Sequence, residues 1–330
     1  MSWYFTIFVI IVLWTLSFIS YRFFIRFLGS KIKQYVREDA PKHHKVKEGT
    51  PTAGGIIFSI FILIFSIILF FIQPLPIYVG FIIIFLGCFL IGFYDDLMKI
   101  INKRNLGLKA REKLFWQLVI TALFFFSMVY NNNYFNSMNL NFSSLVFNRN
   151  VLDLGYFYFL FLFFLISGVS NATNLTDGLD GLLASLSIFT FLAYIVVFSL
   201  MGLYNVVIFI VAIIGFLVVF LFFNFPKASV FMGDSGSMAI GSLFVYFSII
   251  SKTEVYLFFF GYIYFLVTLS VILQVLYFKI TKGRRLFTIT PLHHHFELLG
   301  YDEKNILLRF NLLNFVFILV GLFFFVFKFM

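Results

Sequence analysis

Charged residues are scarce in this sequence. Asp, Glu, Lys and Arg make up 12% of its 330 residues, and hydrophobic residues make up 62%. A soluble domain has about a quarter of its residues charged. The mean hydropathy of +1.03 is too high for one soluble core to bury the excess. Lipid must therefore solvate much of the surface, which excludes an ordinary soluble protein.

Cysteine is almost absent as well. The single cysteine, Cys88, lies within an apolar run. It excludes a disulfide framework within the chain, and we interpret it as a small core residue. A cleavable signal peptide is also missing, because the first positive charges, Arg22 and Arg26, follow the first apolar run and no small-residue cleavage site appears. The N-terminal run is therefore expected to be a transmembrane helix.

Long apolar stretches dominate what is present. Each is long enough to cross a bilayer as a helix, which needs about 20 residues. They lie at approximately 3–29, 52–73, 76–98, 114–131, 153–172, 182–201, 204–224, 236–251, 254–278 and 307–328. Their apolar character is continuous, without the alternation of a closed barrel. The sequence predicts an all-α polytopic membrane protein, a single domain over residues 1–330, with 131–152 as a structural cap or short hairpin.

The basic residues are distributed unequally between alternate loops. Of the 24 Lys and Arg residues, 21 fall in 22–47, 99–113, 279–309 and at Lys227, whereas Arg149, Lys252 and Lys328 lie on the other side. The positive-inside rule assigns the first group to the cytoplasm and both termini to the outside. The net charge of +10 is thus explained by membrane topology, and no nucleic-acid partner is expected.

Two adjacent carboxylates, Asp95 and Asp96, end the third predicted span. Poorly hydrated like charges need a cation or a strong donor nearby. Lys99 follows them by four and three residues, so on a continuing helix it can reach both. A helix end that simply pairs with Lys99 is the structural alternative. We favour a site for a divalent metal or a phosphate.

A polar ladder follows the fifth predicted span. Asn171, Asn174, Asp177 and Asp180 recur every three residues in NATNLTDGLDG, which keeps them on one broad face of a helix or helical turn. Such groups are costly to leave unpaired at the end of an apolar span. A simple turn would use one Asn and one Asp, so the full ladder indicates a binding site.

The segment FMGDSGS precedes the eighth predicted span. Asp234 and Ser235 can cap the next helix, which is the structural alternative. Gly233 and Gly236 frame Asp234, so we expect its carboxylate to be exposed on a tight turn. Carboxylates of this kind suit Mg²⁺, which binds one or two of them together with substrate phosphates.

The segment TPLHHHFE contains three consecutive histidines, His293, His294 and His295. Adjacent side chains diverge, which disfavours one shared tetrahedral zinc site. We interpret them as donors to a phosphate, with a solvated loop as the alternative. Lys47, before GTPTAGG, and Lys113, at the start of the fourth span, are further candidate phosphate contacts.

Metal-binding carboxylates, phosphate-binding cations and Gly-framed turns at one membrane boundary indicate phosphoryl transfer with a lipidic reactant. GTPTAGG, DDLMK, NATNLTDGLDGL, FMGDSGS and TPLHHHFE, in this order, resemble the polyprenyl-phosphate N-acetylhexosamine-1-phosphate transferase superfamily. The resemblance extends over about 44–297, together with the ten-span layout. The uninterrupted histidines make the sequence similar to the bacterial phospho-N-acetylmuramoyl-pentapeptide transferases.

The resemblance implies that undecaprenyl phosphate attacks UDP-N-acetylmuramoyl-pentapeptide at the inner bacterial membrane, with release of UMP. It implies Mg²⁺ on Asp234, with Asp95 and Asp177 as further candidate ligands, and a homodimer. The implied catalytic residues are Asp95, Asp96, Asp234 and His293. The implied substrate-binding residues are Lys47, Lys99, Lys113, Asn171, Asn174, Asp177, Asp180, His294 and His295.

Two alternatives remain open from the sequence. A sister transferase that moves N-acetylglucosamine-1-phosphate to the same lipid shares the aspartate motifs. A transporter without enzymatic activity would instead carry its polar residues near the middle of the spans.

Overall fold

The computed structural model describes residues 3–27, 49–72, 77–104, 106–130, 136 and 141–327. Within them the chain is helical apart from one two-stranded hairpin. The helices are α1 (Trp3–Phe27), α2 (Gly55–Ile72), α3 (Ile77–Ile101), α4 (Ala110–Tyr130), α5 (Phe157–Thr176), α6 (Leu182–Leu200), α7 (Tyr204–Asn224), α8 (Gly233–Ser251), α9 (Leu257–Phe260), α10 (Tyr262–Ile280), α11 (Leu292–Leu298) and α12 (Glu303–Val326). The strands are β1 (Ser144–Phe147) and β2 (Asn150–Asp153).

The helices confirm a polytopic membrane protein. Nine helices in the described ranges are long and apolar enough to cross a bilayer. The remaining predicted span corresponds to α2, which is apolar but lies at the short end of the spanning range. The predicted span 254–278 is interrupted at Gly261, which separates the short α9 from α10.

Several approximate span boundaries differ from the observed helix ends by three or four residues, and two of these differences have a clear physical cause. The fifth span was predicted at 153–172, but α5 starts at Phe157 because residues 150–153 pair with β1 in the hairpin. The eighth span was predicted to start at 236, but α8 starts at Gly233 and places Asp234 in its first turn. Polar residues at the end of a span lower the local hydropathy, but they do not end the helix.

Helix α8 is the centre of the bundle. Every residue from Asp234 to Ser251 is buried, and α8 packs against α2, α3, α5 and α6. Close approach of the helix backbones explains part of this tight packing. A Cβ added to Gly92 of α3 would lie 2.1 Å from the Asp234 carbonyl oxygen, so only glycine fits there.

The bundle has two chemically different ends. The first turn of α8 meets the C-terminal end of α3 and the N-terminal end of α4, and we call this the motif end. The other end, the hairpin end, carries β1 and β2, which pair antiparallel from Ser144–Asp153 to Phe147–Asn150. The hairpin confirms the prediction of a short hairpin within 131–152, as far as residues 141–152 are described.

Candidate active site

The site begins with the end of α3, where Asp95 and Asp96 lie one helical turn before Lys99. Lys99 Nζ lies 2.6 Å from Asp95 Oδ2 and 3.9 Å from Asp96 Oδ1. The prediction that Lys99 reaches both carboxylates is confirmed. Asp95 and Asp96 are almost fully buried, so these contacts take place in a poorly hydrated environment.

Asp234 joins this group from α8. Its Oδ1 lies 2.8 Å from Lys99 Nζ, and its Oδ2 lies 2.7 Å from Lys113 Nζ. Lys113 also lies 2.9 Å from Asp95 Oδ1. Two ammonium groups therefore link two carboxylates that are 139 positions apart in the chain.

Asp96 has a second partner that the sequence did not indicate. Its two carboxylate oxygens accept hydrogen bonds from the backbone N–H groups of Asp234 (3.1 Å) and Ser235 (2.9 Å). These are among the first N–H groups of α8, which have no partner within the helix. Asp96 thus acts as an N-terminal cap supplied by another helix, in place of the local cap considered for Asp234 and Ser235.

The prediction that Asp234 is exposed on a tight turn was wrong. Only 8% of Asp234 is exposed, and the residue is helical. The two lysine contacts explain how its carboxylate is accommodated away from water.

The GTPTAGG segment places the start of α8. Phe231 N–H donates to Pro51 O, Gly54 N–H donates to Phe231 O, and Gly55 N–H donates to Met232 O, each over 2.8 Å. The two motifs therefore pair through their backbones. A Cβ on Gly55 would lie 2.2 Å from the Gly236 Cα, so this approach requires glycine.

The predicted ladder of Asn and Asp residues divides in the structure. Asn174 Nδ2 donates to Asp234 Oδ2 over 3.1 Å, which places Asn174 at the site. Asn171 Nδ2 instead donates to Ser167 O and lies 3.4 Å from Gln117 Oε1, between α4 and α5.

The two aspartates of the ladder lie beyond the end of α5. Asp180 Oδ2 accepts from Ala228 N–H over 2.9 Å, so one of its oxygens holds the loop before α8. Asp177 follows the last residue of α5. Removal from water raises its pKa well above the usual value, and the charges of Asp234 and Asp96 raise it further. Asp177 is therefore close enough to sense the site's charge.

Asn224 is a buried residue that sequence reasoning missed. Its Oδ1 accepts from Gly181 N–H (2.9 Å) and its Nδ2 donates to Val230 O (2.8 Å). It joins the loop after Asp180 to the loop before Asp234. An asparagine at the end of a very apolar helix is the one sequence signal for it.

The three histidines lie on α11 and point to different neighbours. His293 is fully buried, and a Cβ on Gly178 would lie 2.1 Å from its Nε2. His294 Nδ1 contacts Glu297 Oε2, and His295 Nδ1 accepts from Thr288 N–H. The prediction that they diverge is confirmed, and His293 brings the TPLHHHFE segment against the TDGLDG segment.

An apolar cavity of about 300 Å³ adjoins α11. Leu292 and Phe296 of α11 line it together with Ile263 of α10 and Phe310 of α12. Arg309 is the charged residue among its lining side chains. The cavity therefore places apolar side chains and one positive charge next to α11.

Three carboxylates at the site could hold a metal ion. Asp95, Asp96 and Asp234 each offer an oxygen, and these oxygens lie within 4.8 Å of one another. Hard oxygen donors of this kind fit Mg²⁺. Asp177, a predicted candidate ligand, is not one of these three. We call Asp95, Asp96 and Asp234 the carboxylate cluster. With Lys99 and Lys113 beside it, the cluster can hold a cation and phosphate oxygens together.

One predicted contact, Lys47, lies outside the described residues. The other predicted residues of α3, α4 and α8 are brought together as expected. The roles of all these residues toward a substrate remain predictions.

The chain is similar in sequence to a known family and to named bacterial proteins. The family "Glycosyl transferase family 4" matches residues 78–252. A phospho-N-acetylmuramoyl-pentapeptide-transferase of Bacillus subtilis (strain 168) is 38% identical over 282 residues, 85% of each chain. The protein of that name from Anoxybacillus flavithermus is 40% identical over 305 residues, 91% of each chain. The one from Listeria monocytogenes (strain EGD-e) is 39% identical over 314 residues, 94% of this chain and 95% of the relative.

Proposed function

The chain belongs to glycosyl transferase family 4 and, within it, to the phospho-N-acetylmuramoyl-pentapeptide-transferases, and on this premise we propose that it transfers phospho-N-acetylmuramoyl-pentapeptide to a lipid. The donor is UDP-N-acetylmuramoyl-pentapeptide and the acceptor is undecaprenyl phosphate. The products are UMP and undecaprenyl-diphospho-N-acetylmuramoyl-pentapeptide, or lipid I. The observation that carries the proposal is the buried carboxylate cluster bridged by Lys99 and Lys113.

The carboxylate cluster is the proposed Mg²⁺ site, with Asp234 as the principal ligand. Bound there, Mg²⁺ would neutralise charge on the diphosphate. Lys99 and Lys113 are proposed to bind phosphate oxygens, because both ammonium groups already lie among the site's anions. Asn174 donates to Asp234 and keeps its carboxylate oriented.

We assign the attacking group to the lipid phosphate itself. A phosphate monoester has a second pKa of about 6, so near neutral pH it is largely a dianion. It needs alignment and charge screening more than a base. We therefore propose a single in-line displacement, in which Asp95 places the lipid phosphate. Isolation of a phosphorylated enzyme intermediate on Asp95 would contradict this step.

The motif end of the bundle is proposed to face the cytoplasm of a bacterial inner membrane. Twenty-one of the 24 basic residues belong to the loops and helix ends on this side, counted by alternate loops. A soluble nucleotide-sugar and a membrane-bound phosphate can meet there. The apolar cavity beside α11 provides hydrocarbon surroundings for part of a lipidic reactant.

The test uses purified protein with undecaprenyl phosphate and Mg²⁺, and measures UMP release from two nucleotides. UDP-N-acetylmuramoyl-pentapeptide should support release, and UDP-N-acetylglucosamine should not. Release with the glucosamine nucleotide alone would transfer the assignment to the sister transferase. Release with neither nucleotide would refute the enzymatic proposal.

A further inference from the structure

Three helices that each present one side chain to the site also meet deeper in the bundle. Helices α4, α5 and α8 present Lys113, Asn174 and Asp234 at the motif end. One to two turns away from that end, the same helices meet at a second contact. We call this contact the polar junction, and it consists of Gln117, Ser170, Asn171 and Gly241.

Gln117 joins α4 to α5. It is fully buried, one helical turn after Lys113. Its Nε2 donates to Ser170 Oγ over 3.0 Å, and its Oε1 accepts from Asn171 Nδ2 over 3.4 Å. Polar groups within a bilayer have little water as an alternative partner, so these hydrogen bonds favour one register of α4 against α5.

Gly241 joins α8 to the same place on α5. A Cβ at position 241 would lie 2.6 Å from the Ser170 Cα and 2.5 Å from Thr173 Oγ1. The two helices therefore touch almost backbone to backbone. Ser170 is the residue on α5 that both neighbours contact.

The separation of these helices sets a specific geometry at the site. Lys113 Nζ and Asn174 Nδ2 approach one oxygen, Asp234 Oδ2, at 2.7 and 3.1 Å. Lys113 belongs to α4 and Asn174 to α5, and each moves with its helix. A shift of α4 relative to α5 would therefore separate the two donors. The polar junction is the nearest polar contact between α4 and α5 that can resist such a shift.

We propose that Gln117 is a positioning residue that acts through Lys113. It holds α4 against α5 so that Lys113 reaches Asp234 and Asp95 together. The catalytic consequence rests on the proposed function, whereas the effect on Lys113 does not. A merely structural Gln117 would stabilise the bundle independently of Lys113, and this difference can be measured.

The experiment is a double-mutant cycle on the full-length protein: parent, Gln117→Leu, Lys113→Ala and the double variant. In the parent background, Gln117→Leu should lower kcat about 10- to 100-fold, because small misplacements of catalytic groups have effects of this size. The KM for UDP-N-acetylmuramoyl-pentapeptide should change less than about three-fold. In the Lys113→Ala background the same substitution should lower kcat less than about three-fold.

Thermal midpoints of the same four proteins provide a readout that needs no substrate. The shift caused by Gln117→Leu in the Lys113→Ala background should be at most about half its shift in the parent. If the parent releases no UMP from either nucleotide, the proposed function fails, and the thermal cycle alone decides the role of Gln117. Equal effects in both backgrounds, in kcat and in thermal midpoint, would overturn the proposal.

Two further variants guard against a general loss of folding. Ser170→Ala removes the acceptor of Gln117 Nε2, together with the hydrogen bond that Ser170 Oγ donates to Ile166 O within α5. It should show the same dependence on Lys113 if Gln117→Leu cannot be purified. The matched control is Asn311→Leu, since Asn311 Nδ2 donates to Ser185 Oγ over 2.9 Å between α12 and α6. It should lower the thermal midpoint, leave kcat within about two-fold and show no dependence on Lys113.

Discussion

Among the single residues of the site, Asp177 is the acid whose environment is least favourable to its charge. Both burial and the neighbouring charges of Asp234 and Asp96 raise its pKa. Asp234, by contrast, has Lys99 and Lys113 within ion-pair distance. A buried acid beside like charges is typical of groups that are retained for function and not for stability.

Asp177→Asn is therefore predicted to stabilise the protein while lowering UMP release. The pKa of Asp177 is higher in the folded state than in the unfolded state, where it is near 3.8. Below the unfolded pKa the side chain is protonated in both states and costs no stability. As the pH rises from there through the folded pKa, the buried charge progressively lowers the free energy of unfolding. The gain from Asn should thus grow as the pH rises above about 4. Thermal midpoints with EDTA at pH 5 and pH 8 check this, with exposed Asp302→Asn as the control. A larger gain at pH 5 than at pH 8 would contradict it.

Single contacts differ in how far they can be predicted from the sequence. The reach of Lys99 to Asp95 was predictable, because a four-residue spacing on one helix determines it. The cap that Asp96 supplies to α8 was not, because it depends on the packing of two helices whose residues lie 139 positions apart. The burial of Asp234 follows from the same packing.

At the scale of the elements, the α5–α8 contact depends on one small residue. Gly241→Ala is predicted to lower the free energy of unfolding by about 1–3 kcal/mol, because the added methyl group meets backbone atoms of Ser170. Gly168→Ala on α5 is the control, since a Cβ there has no neighbour within 4 Å. It should be neutral or stabilising by up to about 1 kcal/mol. Thermal unfolding in detergent measures both, and equal effects would contradict the prediction.

The hairpin end has its own buried ion pair. Lys252 Nζ lies 3.3 Å from Glu254 Oε1 and donates to the Phe142 and Ser144 carbonyl oxygens, and Tyr158 Oη donates to Glu254. Burial lowers the pKa of Lys252 and raises that of Glu254, so each charge depends on the other. Through Lys252, the pair links the start of the hairpin, around Phe142 and Ser144, to the end of α8.

Lys252→Met is predicted to lower the free energy of unfolding by about 3–5 kcal/mol, because it leaves the Glu254 charge buried without its cation. Glu254→Gln keeps an acceptor for Tyr158 but should also be destabilising. The double variant should cost clearly less than the sum of the two. Thermal midpoints of the four proteins give the coupling, and strictly additive effects would show that the two side chains act separately.

The elements were predictable where apolar runs are long, and less so at their ends. Nine predicted spans recur as long helices because about 20 apolar residues leave few alternatives in lipid. The start of α5 was misplaced because a hairpin strand continues the apolar run before it. The break at Gly261 was missed because a single glycine does not lower the hydropathy of its surroundings.

For the whole molecule, the uneven distribution of basic residues predicts its orientation in the membrane. Arg149 lies at the hairpin end and Arg285 in the loop before α11, and both are exposed. Cys88 is buried, so new cysteines can be labelled selectively. A membrane-impermeant maleimide should label Arg149→Cys in intact cells and Arg285→Cys only after permeabilisation. The reverse pattern would invert the proposed topology.

The most direct measurement of the central claim is transfer of labelled phospho-N-acetylmuramoyl-pentapeptide into the lipid phase. Purified parent protein with undecaprenyl phosphate and Mg²⁺ should move the label from the nucleotide into solvent-extractable lipid, and EDTA should stop it. Asp234→Asn should reduce transfer roughly a thousand-fold, because it removes the carboxylate shared by Lys99 and Lys113. Asp302→Asn should leave transfer unchanged. Transfer by Asp234→Asn at the parent rate would contradict the assignment of the catalytic centre.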